Sequence, residues 1–208
     1  MTSVAKSLIY ALLTAVPTLT LPAIALAHQS ITGKILIEDG KPLTSPIILY
    51  LEPQDRSLAA KPQKHKISQK GRKFDPDLQV IVVGDVVQFL NDENQEIDHN
   101  IYSMSDAKTF DLGLGARGSV MEAGFENAGI LNYYCSVHKR MEGRLVILPS
   151  PHFTAPQQSG DFIFSGAPAG RWWLKAIILN PRYTVDPAPV IVGEEPVKDL
   201  VLKITKKR

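Results

Sequence analysis

The chain breaks its apolar runs too often to build helices. Stretches such as "LQVIVVGDVVQFLN", "HNIYSM", "KTFDLG", "GSVMEAGF" and "GRLVIL" are rich in β-branched and aromatic residues and are divided by Gly, Asn and Asp. No amphipathic helix of any length can be drawn through them. Short strands separated by turn residues specify an all-β sandwich or barrel. With 44% hydrophobic residues among 208, the chain has the composition of a globular protein with a real core.

Not all of the chain belongs to that core. Lys6 is followed by the apolar run "LIYALLTAVPTLTLPAIALA", which Pro17 and Pro22 interrupt and which ends in Ala25-Leu26-Ala27. This reads as a secretory signal over residues 1–27, cleaved before His28, and it predicts a periplasmic or secreted protein with no stable membrane insertion. The segment "ITGKILIEDGKPLTSPIILYLEP" then supplies two strands around a turn carrying Asp39-Gly40 and Pro42. Two stretches read as linkers: the basic run from Gln54 to Lys73, and "SPHFTAPQQSG". After the second, "DFIFSGAPAGRWWLKAIIL", "APVIVG" and "DLVLKI" give three or four further strands. Alternation along a strand predicts that one ring of Trp172-Trp173 is buried and the other exposed.

Charge divides along the same lines. Residues 74–150 carry a net −7, against +6 before and +3 after, which makes the middle an acidic unit flanked by basic ones. The run "KPQKHKISQKGRK" at 61–73 and the tail "KITKKR" are expected to be solvated, with attraction to an acidic partner or surface as the alternative. Nothing in the chain points to nucleic acid.

The chemistry concentrates in "NYYCSVHKRMEGRLVIL", where Cys135, the sole cysteine, is followed by His138 and Met141. Steps of three suit neither regular structure. On a helix Cys135 and Met141 would point about 120° apart, and on a strand successive members would alternate faces. The three converge only in a loop curled between the β-rich runs "GILNYY" and "GRLVIL". A lone cysteine in an oxidising compartment cannot form an intrachain disulfide, which leaves an intermolecular link, an inert buried thiol, or a reactive or metal-bound thiolate. His138 and Met141 favour the last. A metal site needs donors from a second segment, and "NDENQEIDHNIYS" offers His99 between two apolar strands. Sulfur donors select copper over hard ions, and two histidines with a thiolate and a weak axial methionine form the blue-copper electron-transfer set. Methionine argues against structural zinc.

These residues resemble a known family. "GDVVQFLN", "DHNIYS", "FDLG" and "YYCSVHKRM" before a final strand are similar to the cupredoxins, and the short Cys-x-x-His-x-x-Met loop looks most like the amicyanin type. The resemblance covers 74–148. It implies a Greek-key sandwich, one type 1 copper held by His99, Cys135, His138 and Met141, and an Asn100 side chain that ties the two ligand loops together. The flanks at 33–53 and 162–179 are similar to carboxypeptidase-regulatory-like, transthyretin-like sandwiches. The whole resembles plastocyanin-like proteins of the methylamine utilisation type. That assigns 28–60 and 155–208 to one small β-sandwich, with the cupredoxin at 66–150 joined to it or inserted in it.

The functional expectation is a one-electron carrier rather than an enzyme, exchanging electrons with a redox protein such as a cytochrome c or a copper or quinone enzyme. Lys139 and Arg140 depart from related loops, which commonly open with proline and present an apolar rim. Two cations beside the electron's exit imply an acidic rim on the partner. Two alternatives remain open: copper delivery or a structural envelope module without electron transfer, and a histidine-brace oxidase built on His28 with His65 or His152 as third nitrogen. A multicopper enzyme would need more than the five histidines present.

Overall fold

The run "EGRLVIL" shows how the architecture is assembled. Leu145, Val146, Ile147 and Leu148 are all buried, so this strand is covered on both faces, as an unbroken apolar run requires. Leu145 and Ile147 point into one core, and Val146 and Leu148 into another. The computed structural model describes residues 29–207 other than Lys41, Leu43, Arg56, Ser57 and Ala59. Residues 1–27, expected to be a secretory signal, and His28 lie outside the described residues. Among those described, no helix is long and apolar enough to cross a membrane.

Seventeen strands and no helix are present among the described residues. Two open the chain, β1 (Gln29–Ile37) and β2 (Ile47–Pro53). Nine follow as a central block: β3 (Lys64–Gln69), β4 (Phe74–Asp75), β5 (Leu78–Val82), β6 (Val86–Asn91), β7 (His99–Ser105), β8 (Lys108–Gly115), β9 (Val120–Gly124), β10 (Gly129–Tyr134) and β11 (Glu142–Leu148). The last six are β12 (Phe153–Thr154), β13 (Asp161–Ala167), β14 (Gly170–Ile178), β15 (Tyr183–Val185), β16 (Ala188–Val192) and β17 (Val197–Lys206).

The central block forms two sheets, ordered β5-β11-β10-β7-β8 and β4-β3-β6-β9. Between them lies a core that includes Ile67, Phe89, Ile101, Phe125, Leu131 and Tyr133. The flanking strands form two more sheets, β13-β1-β17-β15 and β12-β2-β14-β16, so β1 and β2 pair only with strands that come after the central block. Their core holds Leu49, Leu51, Phe162, Trp172 and Leu202. Trp172 is fully buried and Trp173 is 37% exposed, as strand alternation requires.

Two segments expected to be linkers are structured. Within the basic run, Lys64–Gln69 pairs in parallel with β6 over its whole length and buries Ile67 and Gln69. Its flanking lysines face water, which hides the alternation from a composition-based reading. Phe153–Thr154, within the second expected linker, pairs with Tyr50 and Leu49 of β2.

Gly143 marks a close approach inside the central block. A Cβ there would sit 2.2 Å from the Tyr133 ring, so the absence of a side chain lets the ring lie across β11. Phe74 then meets that ring edge-on at 4.7 Å.

Candidate metal centre

The end of the central block where β7 begins and β10 gives way to β11 gathers the functional side chains. His99 is the first residue of β7 and is fully buried. Cys135 directly follows β10 and continues its inward alternation from Leu131 and Tyr133. The loop from Cys135 to Met141 is closed by its own backbone: the Cys135 N–H donates to the Met141 carbonyl at 3.1 Å, and the Met141 N–H to the His138 carbonyl at 2.9 Å. This curl returns the chain on itself and buries the Met141 side chain in the same core as Cys135.

Cys135 Sγ lies 3.8 Å from His99 Nδ1 and 3.8 Å from His138 Nδ1. One donor atom from each residue falls within 4.8 Å of the other two. A first-row ion bonded at about 2.3 Å to thiolate and 2.0 Å to imidazole, with a near-trigonal angle, separates its donors by about 3.7 Å. The observed spacing therefore fits one ion. A soft sulfur, two imidazole nitrogens and a buried thioether nearby match the preferences of copper among available metals.

The surroundings fix the donors. His99 Nε2 is 3.0 Å from Glu93 Oε1, and that same oxygen accepts the Arg72 N–H at 2.8 Å. A carboxylate acceptor holds the ring proton on Nε2 and turns the Nδ1 lone pair toward Cys135. Burial pushes the Glu93 carboxyl upward, but the backbone N–H groups of Arg72 and Gly71 and the His99 ring outweigh it and hold the group below its usual range. Burial, then the neighbouring His99 and Arg72, keeps His138 below the ordinary imidazole range against an opposing pull from Glu93, so its ring favours the neutral form a ligand needs.

Asn100 sits where the two loops meet. Its N–H points at Cys135 Sγ at 3.4 Å, its Oδ1 accepts the Ser136 N–H at 3.3 Å, and its Nδ2 donates to Asp111 at 2.6 Å and the Gly113 carbonyl at 3.0 Å. The five residues of the copper reading, His99, Asn100, Cys135, His138 and Met141, thus lie at this one end, whereas His65 pairs with Asp85 at the opposite end of the block. Sequence reasoning missed Glu93 and Arg72. Glu93 stands in a polar loop with no periodicity to mark it, and Arg72 lies in the segment read as linker.

No family model and no curated protein sequence matches the chain. Solved structures similar to it include a Cu(I) amicyanin variant, at 17% identity over 40% of this chain and 81% of that one, with a TM-score of 0.37. A purple cupredoxin from Nitrosopumilus maritimus is 26% identical over 40% of this chain and 98% of its own, with a TM-score of 0.36. A copper-containing nitrite reductase from Thermus scotoductus is 22% identical over 46% of this chain but only 25% of its own, with a TM-score of 0.39. The likenesses are partial, and the chain's own features carry the weight: two facing sheets, a histidine opening β7, and a Cys-x-x-His-x-x-Met loop that closes beside it. The central block of this protein has a cupredoxin-like fold with a copper-type donor cluster at one end.

Proposed function

We propose that the chain is an exported type 1 copper protein that carries single electrons between redox partners, such as a cytochrome c or a copper or quinone enzyme. The convergence of His99, Cys135 and His138 donor atoms within 4.8 Å, beside a loop that ends on buried Met141, is the observation that supports it. One bound copper ion would supply a reversible one-electron couple. The chain's contribution is rigidity: Glu93 fixes the His99 tautomer, Asn100 pins the ligand loop, and the buried flanks of Cys135 exclude water. A donor set that cannot rearrange keeps the same geometry in both oxidation states, and the thiolate environment tunes the potential.

His28, on which a histidine brace would be built, lies outside the described residues, and the two candidates for its third nitrogen each have another partner. His65 Nε2 is 2.7 Å from Asp85, and the His152 ring stands edge-on to Trp172 at 5.4 Å. Visible and paramagnetic resonance spectra of the Cu(II)-loaded exported chain test the reading. An intense blue or green thiolate band, narrow hyperfine coupling and one copper per chain are expected. Pale, tetragonal copper would overturn it.

A further inference from the structure

A basic loop that the sequence places outside the acidic unit is folded onto the metal end. The β3–β4 connection, Lys70–Lys73, turns through Gly71 and Arg72 at φ of 65° and 58°, and this left-handed pair aims both N–H groups at Glu93. Because one Glu93 oxygen holds both the Arg72 N–H and the His99 ring, the loop is fastened a single carboxylate away from a metal ligand. Lys70, Arg72 and Lys73 are exposed there, as are Lys139 and Arg140 on the ligand loop. None of these five cations pairs with a carboxylate among the described residues.

We propose that the β3–β4 loop and the ligand loop together form a basic docking rim around His138 for an electron-transfer protein whose own docking face is acidic. The inference rests on the carrier reading and adds to it the chemistry of the partner and the segment that meets it. Unpaired cations keep their full field, and the half-buried His138, which feels the charge of Arg72 and directly precedes Lys139 and Arg140, is the route by which an electron would leave. A protein is favoured over a polyanion or membrane because the face is mixed. Leu114, 67% exposed, and Val137, 49% exposed, flank the site as apolar surface, and the 92–98 loop adds Asp92 and Asp98, with Glu96 paired to Arg117. A uniformly anionic surface would meet those carboxylates, whereas a protein face can match both signs.

The test uses the copper-loaded exported chain, reduced, and ferricytochrome c in two forms: native, with its basic surface, and succinylated, with lysines converted to carboxylates. In each reaction the reduced copper centre loses one electron and the haem iron gains it. At about 10 mM ionic strength the succinylated form is expected to react at least about tenfold faster than the native form, with the gap closing as salt is added. In the double variant Arg72→Glu with Lys139→Glu the preference should reverse. Lys203→Glu, on exposed β17 of the flanking sheets, should leave it unchanged. A blue double variant that keeps the parent preference overturns the rim and leaves the carrier reading standing. A parent chain that forms no blue site overturns the carrier reading, and the rim with it. Binding of phosphatidylserine vesicles that the double variant loses, without any preference between the cytochromes, reassigns the surface to a membrane and overturns protein docking.

Discussion

At the scale of single residues, the site separates donors from the groups that aim them. Cys135→Ser is expected to abolish the thiolate charge-transfer band, because a hydroxyl is too hard a donor for the copper set. Met141→Gln should retain the band and shift the potential, and an unchanged potential would remove Met141 from the ligands. Glu93→Gln is the more informative change. An amide can still accept one proton from His99, but it carries no charge and serves the Arg72 and His99 N–H groups less well. Copper affinity should fall about 10- to 100-fold by competition titration with a chelator, while the type of spectrum is preserved. A loss of the thiolate band itself would instead make Glu93 part of the donor set.

At the scale of elements, the far end of the central block depends on one carboxylate. Asp85 accepts the Val82 N–H at 2.9 Å, the Gln63 N–H at 2.8 Å and a 2.7 Å contact from His65, which gathers the end of β5, the start of β3 and the start of β6. Burial raises its pKa, but those N–H groups and His65 outweigh burial and leave it lowered. A carboxylate whose folded pKa lies below its unfolded value of about 3.9 stabilises fully above that value and loses the contribution as pH falls through the folded pKa. Asp85→Ala should cost about 2–4 kcal/mol in urea unfolding at neutral pH, since buried donors lose their acceptor. Asp85→Asn should lose stability less steeply than the parent below about pH 4. Identical acid limbs in the two proteins would remove Asp85 from the acid response.

At the scale of the whole molecule, the two pairs of sheets share apolar surface. Ile48 of β2 meets Val146 and Leu148 of β11, with Tyr50, Leu78, Val80, Ile177 and Leu179 around them. β11 is therefore the structural hinge between chemistry and scaffold, one face in the core beneath Cys135 and the other in the joint. Leu148→Ala opens a cavity in that joint and is expected to cost about 2–5 kcal/mol by calorimetry or urea unfolding. The visible spectrum of the copper-loaded variant should not change, because Leu148 faces away from the donors. A spectral change would mean that the joint bears on the ligand geometry directly.

What the sequence determined by itself was set by local rules. Period-two patterning and frequent turn residues dictated an all-β chain, and the impossibility of converging Cys135, His138 and Met141 on a helix or strand called for a loop between two strands. Donor chemistry then pointed to His99 on a second segment, and the fold brings its ring to within 4.8 Å of the Cys135 and His138 donor atoms. The tertiary structure decided what depends on pairing across sequence. β3 was hidden because a strand whose exposed positions are lysines looks like solvated chain until β6 supplies its hydrogen-bonding partner. Glu93 and Arg72 gained roles only when a β3–β4 turn and a β6–β7 loop were brought to the same oxygen. Even the charge map changed meaning: cations that counted as flanking along the chain stand beside the donor cluster in space, because a field depends on distance through the fold and not on position in the sequence.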